Sequence, residues 1–102
     1  MGNGMWRPQR GILGPMVDTN AAIAKRLARL RSTMRLSQAD MCRRIGVAPN
    51  RWNQYESGTR RITVEVVSKL RDTFGITSDW VFFGDESGLP RRITDHFLDA
   101  AE

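Results

Sequence analysis

Ile23, Leu27, Leu30 and Met34 recur at intervals of four, three and four residues along an otherwise polar and basic stretch. That interval places them on one face of an α-helix. Thr19 or Asn20 stands where a cap belongs, and Lys25, Arg26, Arg29 and Arg31 cover much of the rest. Met41 and Ile45, with Cys42 between them, form the inner face of a second helix that opens at Ser37 and stops at Gly46. Ser37 is a good N-cap, and Asp40 three residues later resembles the acidic half of a capping box. In the third segment Trp52 and Tyr55 face inward, while Asn50, Arg51, Asn53 and Gln54 are left outside. Pro49 suits its first helical position and Gly58 its end.

Thr63 caps a fourth helix running to Phe74, with Val66, Val67, Leu70 and Phe74 inward and Gly75 as its stop. Thr77 caps a short fifth, Ser78 to Phe83, ended by Gly84. Gly88 and Pro90 break the chain again, and residues 91–100 fit a last short amphipathic helix with Ile93, Phe97 and Leu98 on one side. No stretch alternates with the two-residue period of a strand. Residues 1–18 hold four Gly and two Pro without periodicity and read as a flexible tail. The pattern predicts an all-α fold: a compact five-helix domain over residues 19–84, with a tail before it and a short acidic extension, 85–102, after it.

Composition narrows the classes. At 102 residues the chain is long enough for one domain. Its longest strongly apolar run, Trp80 to Phe83, is far too short to span a membrane, and its start lacks the apolar stretch of a secretory leader. Cys42 stands alone, so an intrachain disulfide is excluded and a Cys/His metal set has too few members. No cofactor or metal is expected, and the expected compartment is the cytoplasm. The net charge of +5 conceals an asymmetry: residues 19–62 carry ten basic and two acidic side chains, whereas residues 84–102 carry two and five. A cationic block of this kind attracts polyanions: DNA, RNA or an anionic membrane surface. A membrane-surface role fits poorly, because the cations are spread over several helices rather than along one amphipathic face.

With these residues in view, the middle of the chain resembles the phage repressor/Cro (Xre-type) helix-turn-helix family. The resemblance is carried by Leu30-Arg31, by Leu36-Ser37-Gln38-Ala39-Asp40-Met41-Cys42, by Ile45-Gly46-Val47 and by the run Trp52 to Arg61; Leu70 to Trp80 extends it. It covers residues 22–84, about two-thirds of the chain, and implies a lambda-repressor-like bundle that binds duplex DNA. Five positions depart from the family pattern, among them Cys42 where Ala is usual, Ile62 where Pro is usual, Trp52 where Ile or Val is usual and Arg71 where Ala is usual. Arg71 must therefore lean outward. Ala48, where Ser or Thr is frequent, leaves the third helix without a side-chain cap, at a cost of about 1 kcal/mol.

The family docks its third helix in the major groove and lays the second across the backbone. Carried over residue by residue, the resemblance implies base contacts from Asn50, Arg51 and Gln54, since Asn and Gln pair with adenine and Arg with guanine. Pro49 offers an apolar contact. Gln38, Arg43, Asn53, Arg60 and Arg61 are the expected backbone contacts. Arg44, Arg26 and Arg29 add only to the field. Arg31 and Glu56 are expected to pair across the first and third helices as a structural link. Trp52 reads as core rather than as a base-stacking platform, and Cys42 as a small buried side chain rather than a redox switch.

The function expected from the resemblance is a sequence-specific, double-stranded DNA-binding transcriptional regulator. It is expected to repress from a palindromic operator as a weak, DNA-induced homodimer. A second reading is an antitoxin that binds a toxin through Ile93, Phe97 and Leu98 and represses its own promoter. Trp80 to Phe83 and the same three residues are the apolar surface expected for a dimer or another protein partner. An enzyme is not expected, for no Ser-His or Cys-His constellation or phosphate-cradling glycine loop is present.

Overall fold

The computed structural model describes residues 17–100, with side chains to Leu98. The tail expected over residues 1–18 lies, apart from Val17 and Asp18, outside the described residues. Six helices form among them: α1 (Asn20–Thr33), α2 (Gln38–Ile45), α3 (Pro49–Ser57), α4 (Val64–Phe74), α5 (Ser78–Phe83) and α6 (Arg91–Ala100). No strand occurs among the described residues.

The first five helices start and stop where local chemistry places them. Thr19, Ser37, Thr63 and Thr77 each accept a hydrogen bond from the backbone N–H three residues ahead, at 3.0–3.2 Å. Each thereby satisfies one of the donors a helix start leaves orphaned. Only half of the capping box expected at Asp40 forms: its N–H reaches Ser37 Oγ, while its carboxylate pairs with Arg43 one turn on. α1 ends differently from the others. The Leu36 N–H reaches back to the Arg31 carbonyl and the Arg35 N–H to that of Ser32, both at 3.0 Å, with Arg35 itself at φ 60°. This is a Schellman motif with arginine at the position glycine normally takes.

The inner faces meet as the spacing requires. Leu27, Leu30, Met41, Trp52 and Leu70 are wholly buried, and Trp52 and Tyr55 meet edge to face. Ile62, which replaces the proline usual in the family, is buried and closes the core below the loop into α4. Arg71 leans outward, as expected, and pairs with Asp72.

The segment after Gly84, expected as a short acidic extension, packs onto the other helices. Leu89, Ile93 and Phe97 are buried in the same core. Phe97 stacks on Trp80, ring centroids 5.6 Å apart, and the Arg29 guanidinium lies 4.2 Å from the Phe97 centroid. Arg92 Nη2 donates to the Phe74 carbonyl at 3.0 Å, which satisfies an orphaned acceptor at the end of α4. Pro90 comes so near Gly75 that a Cβ there would sit 2.9 Å from its ring. Of the apolar surface expected for a partner, Trp80, Val81, Ile93 and Phe97 are therefore core; Leu98, 68% exposed, and parts of Phe82 and Phe83 remain open.

Arg26 and Arg29, expected only to add to the field, also make contacts inside the fold. Arg26 donates to the Val81 carbonyl at 2.7 Å and pairs with Asp18, whose own N–H donates to the Phe82 carbonyl at 2.8 Å. Arg26 thus ties the entry of the chain and α1 to the end of α5, and it crosses so close to Gly84 that a side chain there would collide with it.

Candidate nucleic-acid interface

α2 and α3 are joined by three residues, Gly46, Val47 and Ala48. Gly46 takes φ 70° and its N–H closes onto the Cys42 carbonyl at 2.8 Å, so the chain leaves α2 sharply. The left-handed conformation suits glycine, which lacks the Cβ that penalises it elsewhere. Cys42 is buried behind this turn. Burial, and next the negative charge of Glu56, push its thiol above the ordinary cysteine range. A protonated, enclosed thiol is an inert packing group.

On α3 the inward pair Trp52 and Tyr55 fixes which side faces out. Asn50, Asn53 and Ser57 are exposed and Gln54 half-buried, and they share one stripe at positions i, i+3, i+4 and i+7. Pro49 and Arg51 are exposed beside it. Arg51 stands apart from the stripe, toward α4: with Glu65 and Lys69 it lines an open concavity of about 250 Å3 beneath the Gly46–Ala48 turn. Lys69, not singled out by the sequence, thereby joins the cationic flank. Ala48 gives α3 no side-chain cap, so its first turn presents free backbone N–H groups alongside Asn50 and Arg51.

The other flank of α3 is held by Glu56. Its carboxylate, 7% exposed, accepts from Arg31 Nε at 2.6 Å, Arg31 Nη2 at 3.0 Å, Gln38 Nε2 at 3.1 Å and Trp52 Nε1. The expected Arg31–Glu56 link is present, and it is the centre of a larger cluster joining α1, α2 and α3. Arg31 also donates to the Leu36 carbonyl at 2.9 Å. Burial alone would raise the Glu56 pKa; the hydrogen bonds from Arg31, Trp52 and Gln38 outweigh it and hold the carboxyl below the usual range. The hydrogen bond to Glu56 in turn raises Arg31 against its own desolvation. Gln38 passes the cluster on, its Oε1 accepting from Asn53 Nδ2 at 3.3 Å. Asn53, expected at the DNA backbone, is thus built into the α2–α3 junction.

The loop after α3 is pinned by one acceptor. The Gln54 carbonyl receives the N–H groups of Thr59 and Arg60, at 3.1 and 3.3 Å, and the Thr59 hydroxyl at 3.3 Å. Arg60 is left exposed at the edge of the α3 stripe, and Arg61, also exposed, donates to the Asp18 carbonyl at 3.3 Å. Arg43 and Arg44 are exposed on α2, Arg43 in its pair with Asp40. No group of acidic, His or Cys residues is arranged to hold a metal among the described residues, and no helix among them is long and apolar enough to cross a membrane.

Two helices held at a three-residue turn, the second showing a polar face and flanked by arginines, define the helix-turn-helix class of all-α domains. The helix-turn-helix domain family model matches residues 22–79, from α1 into α5, and the chain belongs to that family. No curated protein and no solved structure matched the chain.

Proposed function

We infer that the protein is a sequence-specific, duplex-DNA-binding transcription regulator of the phage repressor/Cro (Xre) type. In this reading α1–α5 are a lambda-repressor-like core and α6 is added to it. The observation that carries the reading is the polar stripe Asn50, Asn53, Gln54 and Ser57 on α3. Asn50, Asn53 and Ser57 are exposed and Gln54 is half-buried, and the part-buried Glu56 cluster supports the helix from its other flank. Amides on a rigid helix suit base edges in the major groove. Gln38, Arg43, Arg60 and Arg61, around the stripe, suit phosphates.

The protein acts as a repressor, with no catalytic step, in the cytoplasm on the nucleoid. One α3 reads about four to six base pairs, too few to single out a site among a million or more competitors. Two copies on a palindrome, their α3 helices about 34 Å apart, resolve this. The antitoxin alternative rested on Ile93, Phe97 and Leu98 as a partner surface, and Leu98 alone of the three is exposed.

The test is binding to duplex DNA over a range of salt, with sites selected from a random pool. Log K is expected to fall with log salt by about 0.9 per phosphate neutralised, and two chains are expected per selected site. Affinity indifferent to salt, or one chain per site with both components well above their Kd, contradicts the reading.

A further inference from the structure

The α3 stripe contains one side chain whose direction is imposed from inside the fold. Glu56 is ionised and can only accept hydrogen bonds. The amide of Gln38 beside it must therefore offer its nitrogen, and it does, Nε2 to Oε1 at 3.1 Å. Gln38 Oε1 is then turned the other way, toward α3, where it too can only accept. It receives Asn53 Nδ2 at 3.3 Å. The polarity of this chain is fixed at its buried end, because Arg31 and Trp52 hold the Glu56 carboxylate from two other directions. Asn53, exposed next to Gln54, is left with Oδ1 and one N–H of its amide unspent.

We propose that Asn53 reads a base edge rather than a phosphate, taking adenine in the major groove, and that Gln38, oriented by Glu56, is the positioning residue that makes it do so. The inference rests on the duplex-DNA reading above. An adjacent acceptor and donor match the N6 amino group and N7 of adenine, whereas guanine offers two acceptors at N7 and O6. A free asparagine reorients its amide and meets donors or acceptors alike. One tied at Nδ2 to Gln38 keeps Oδ1 in a single place, so guanine O6 meets an oxygen and is rejected. Arg51, on the opposite flank of α3 and outside this chain of bonds, has no such constraint.

Half-sites selected from random duplex DNA by the wild type, Asn53→Ala and Gln38→Met test the proposal. The wild type is expected to demand adenine at one position. Both variants are expected to lose that demand, discrimination there falling about tenfold, while preferences at the other positions persist. Retention of the adenine by Gln38→Met, or a uniform loss across all sequences with Asn53→Ala, overturns it. A second measurement needs no DNA and no variant: in the free protein the Asn53 side-chain NH2 is expected to exchange with water more slowly than that of Asn50. Equal exchange overturns the positioning by Gln38 even where DNA is bound. A wild type that binds no duplex DNA, with slow Asn53 exchange, instead overturns the functional reading and the adenine assignment with it.

Discussion

Arg31 and Glu56 meet in two hydrogen bonds, Nε to Oε2 at 2.6 Å and Nη2 to Oε1 at 3.0 Å, and so join the end of α1 to the end of α3. Glu56 sits in the last turn of α3, where the helix dipole disfavours a negative charge, and the guanidinium offsets it. Removing the carboxylate leaves Arg31, the Trp52 indole and Gln38 without their shared acceptor. Glu56→Ala is therefore expected to cost about 2–4 kcal/mol in denaturant unfolding. An unfolding midpoint equal to the wild type contradicts this.

The same carboxylate sets an acid limit. Its native pKa lies below the ordinary value of 4.5, since the hydrogen bonds from Arg31, Trp52 and Gln38 exceed the cost of burial. A group with a depressed native pKa contributes stability that is fully present above its unfolded value and disappears as pH falls through the native one. Stability is thus expected to be flat in this respect above about pH 5 and to fall below pH 4.5. In Glu56→Gln that part of the acid slope is absent. Parallel acid titrations of the two proteins by circular dichroism make the comparison, and identical slopes contradict it.

On the polar stripe of α3, if it reads DNA as proposed, Asn50→Ala and Gln54→Ala are expected to cost about 1–3 kcal/mol at the selected site and to relax one base position each. The Gln54 carbonyl that pins the Thr59–Arg60 loop is backbone, so truncating the side chain leaves the loop in place. Arg60→Ala is expected to weaken all sequences alike and to reduce the salt slope by about one phosphate. Equal losses on cognate and random DNA for Gln54→Ala contradict the placing of α3.

The docking of α6 separates two neighbouring residues. Phe97 is buried between Trp80 and Arg29, whereas Leu98 is 68% exposed. Phe97→Ala is expected to cost about 3–5 kcal/mol, and Leu98→Ala to stay within about 0.5 kcal/mol. Thermal melting distinguishes them, and equal melting temperatures contradict the packing of α6.

The helix ends were legible in the sequence because they are decided within four residues. Thr19, Ser37, Thr63 and Thr77 cap through their own hydroxyls, and Gly46, Gly58, Gly75 and Gly84 follow the last helical residues. Asp40 shows the limit even at that range: a box partner and Arg43 compete for one carboxylate, and spacing does not rank them. α6 was legible as a helix but not as core. The pattern Ile93 and Phe97 demands cover without naming what supplies it, and Gly88, Pro90 and the change of charge sign point to a boundary. Phe97 finds Trp80, and Arg92 finds Phe74, only once the chain has folded. The Arg31–Glu56 pair came from the resemblance, yet the joining of Gln38 and Asn53 to it depends on how closely α2 and α3 approach, which no local pattern encodes.

The end of α1 gives the last prediction. Arg35 adopts φ 60°, a conformation in which its Cβ crowds the following carbonyl at a cost of about 1–2 kcal/mol. Both hydrogen bonds of this turn, Leu36 N–H to the Arg31 carbonyl and Arg35 N–H to the Ser32 carbonyl, are made by backbone, so a glycine retains them. Glycine removes the strain but brings a more flexible unfolded chain, which returns about 0.5–1 kcal/mol, and it gives up a cation near the helix C-terminus worth a few tenths. Arg35→Gly is expected to stabilise the fold slightly, by at most about 1 kcal/mol. The sharper comparison is with Arg35→Ala, which loses the same charge and keeps the Cβ. Glycine is expected to exceed alanine there by roughly 1 kcal/mol, the reverse of their order inside a helix. Urea unfolding of the two variants decides it: alanine equal to or above glycine shows that residue 35 does not hold the left-handed conformation in solution.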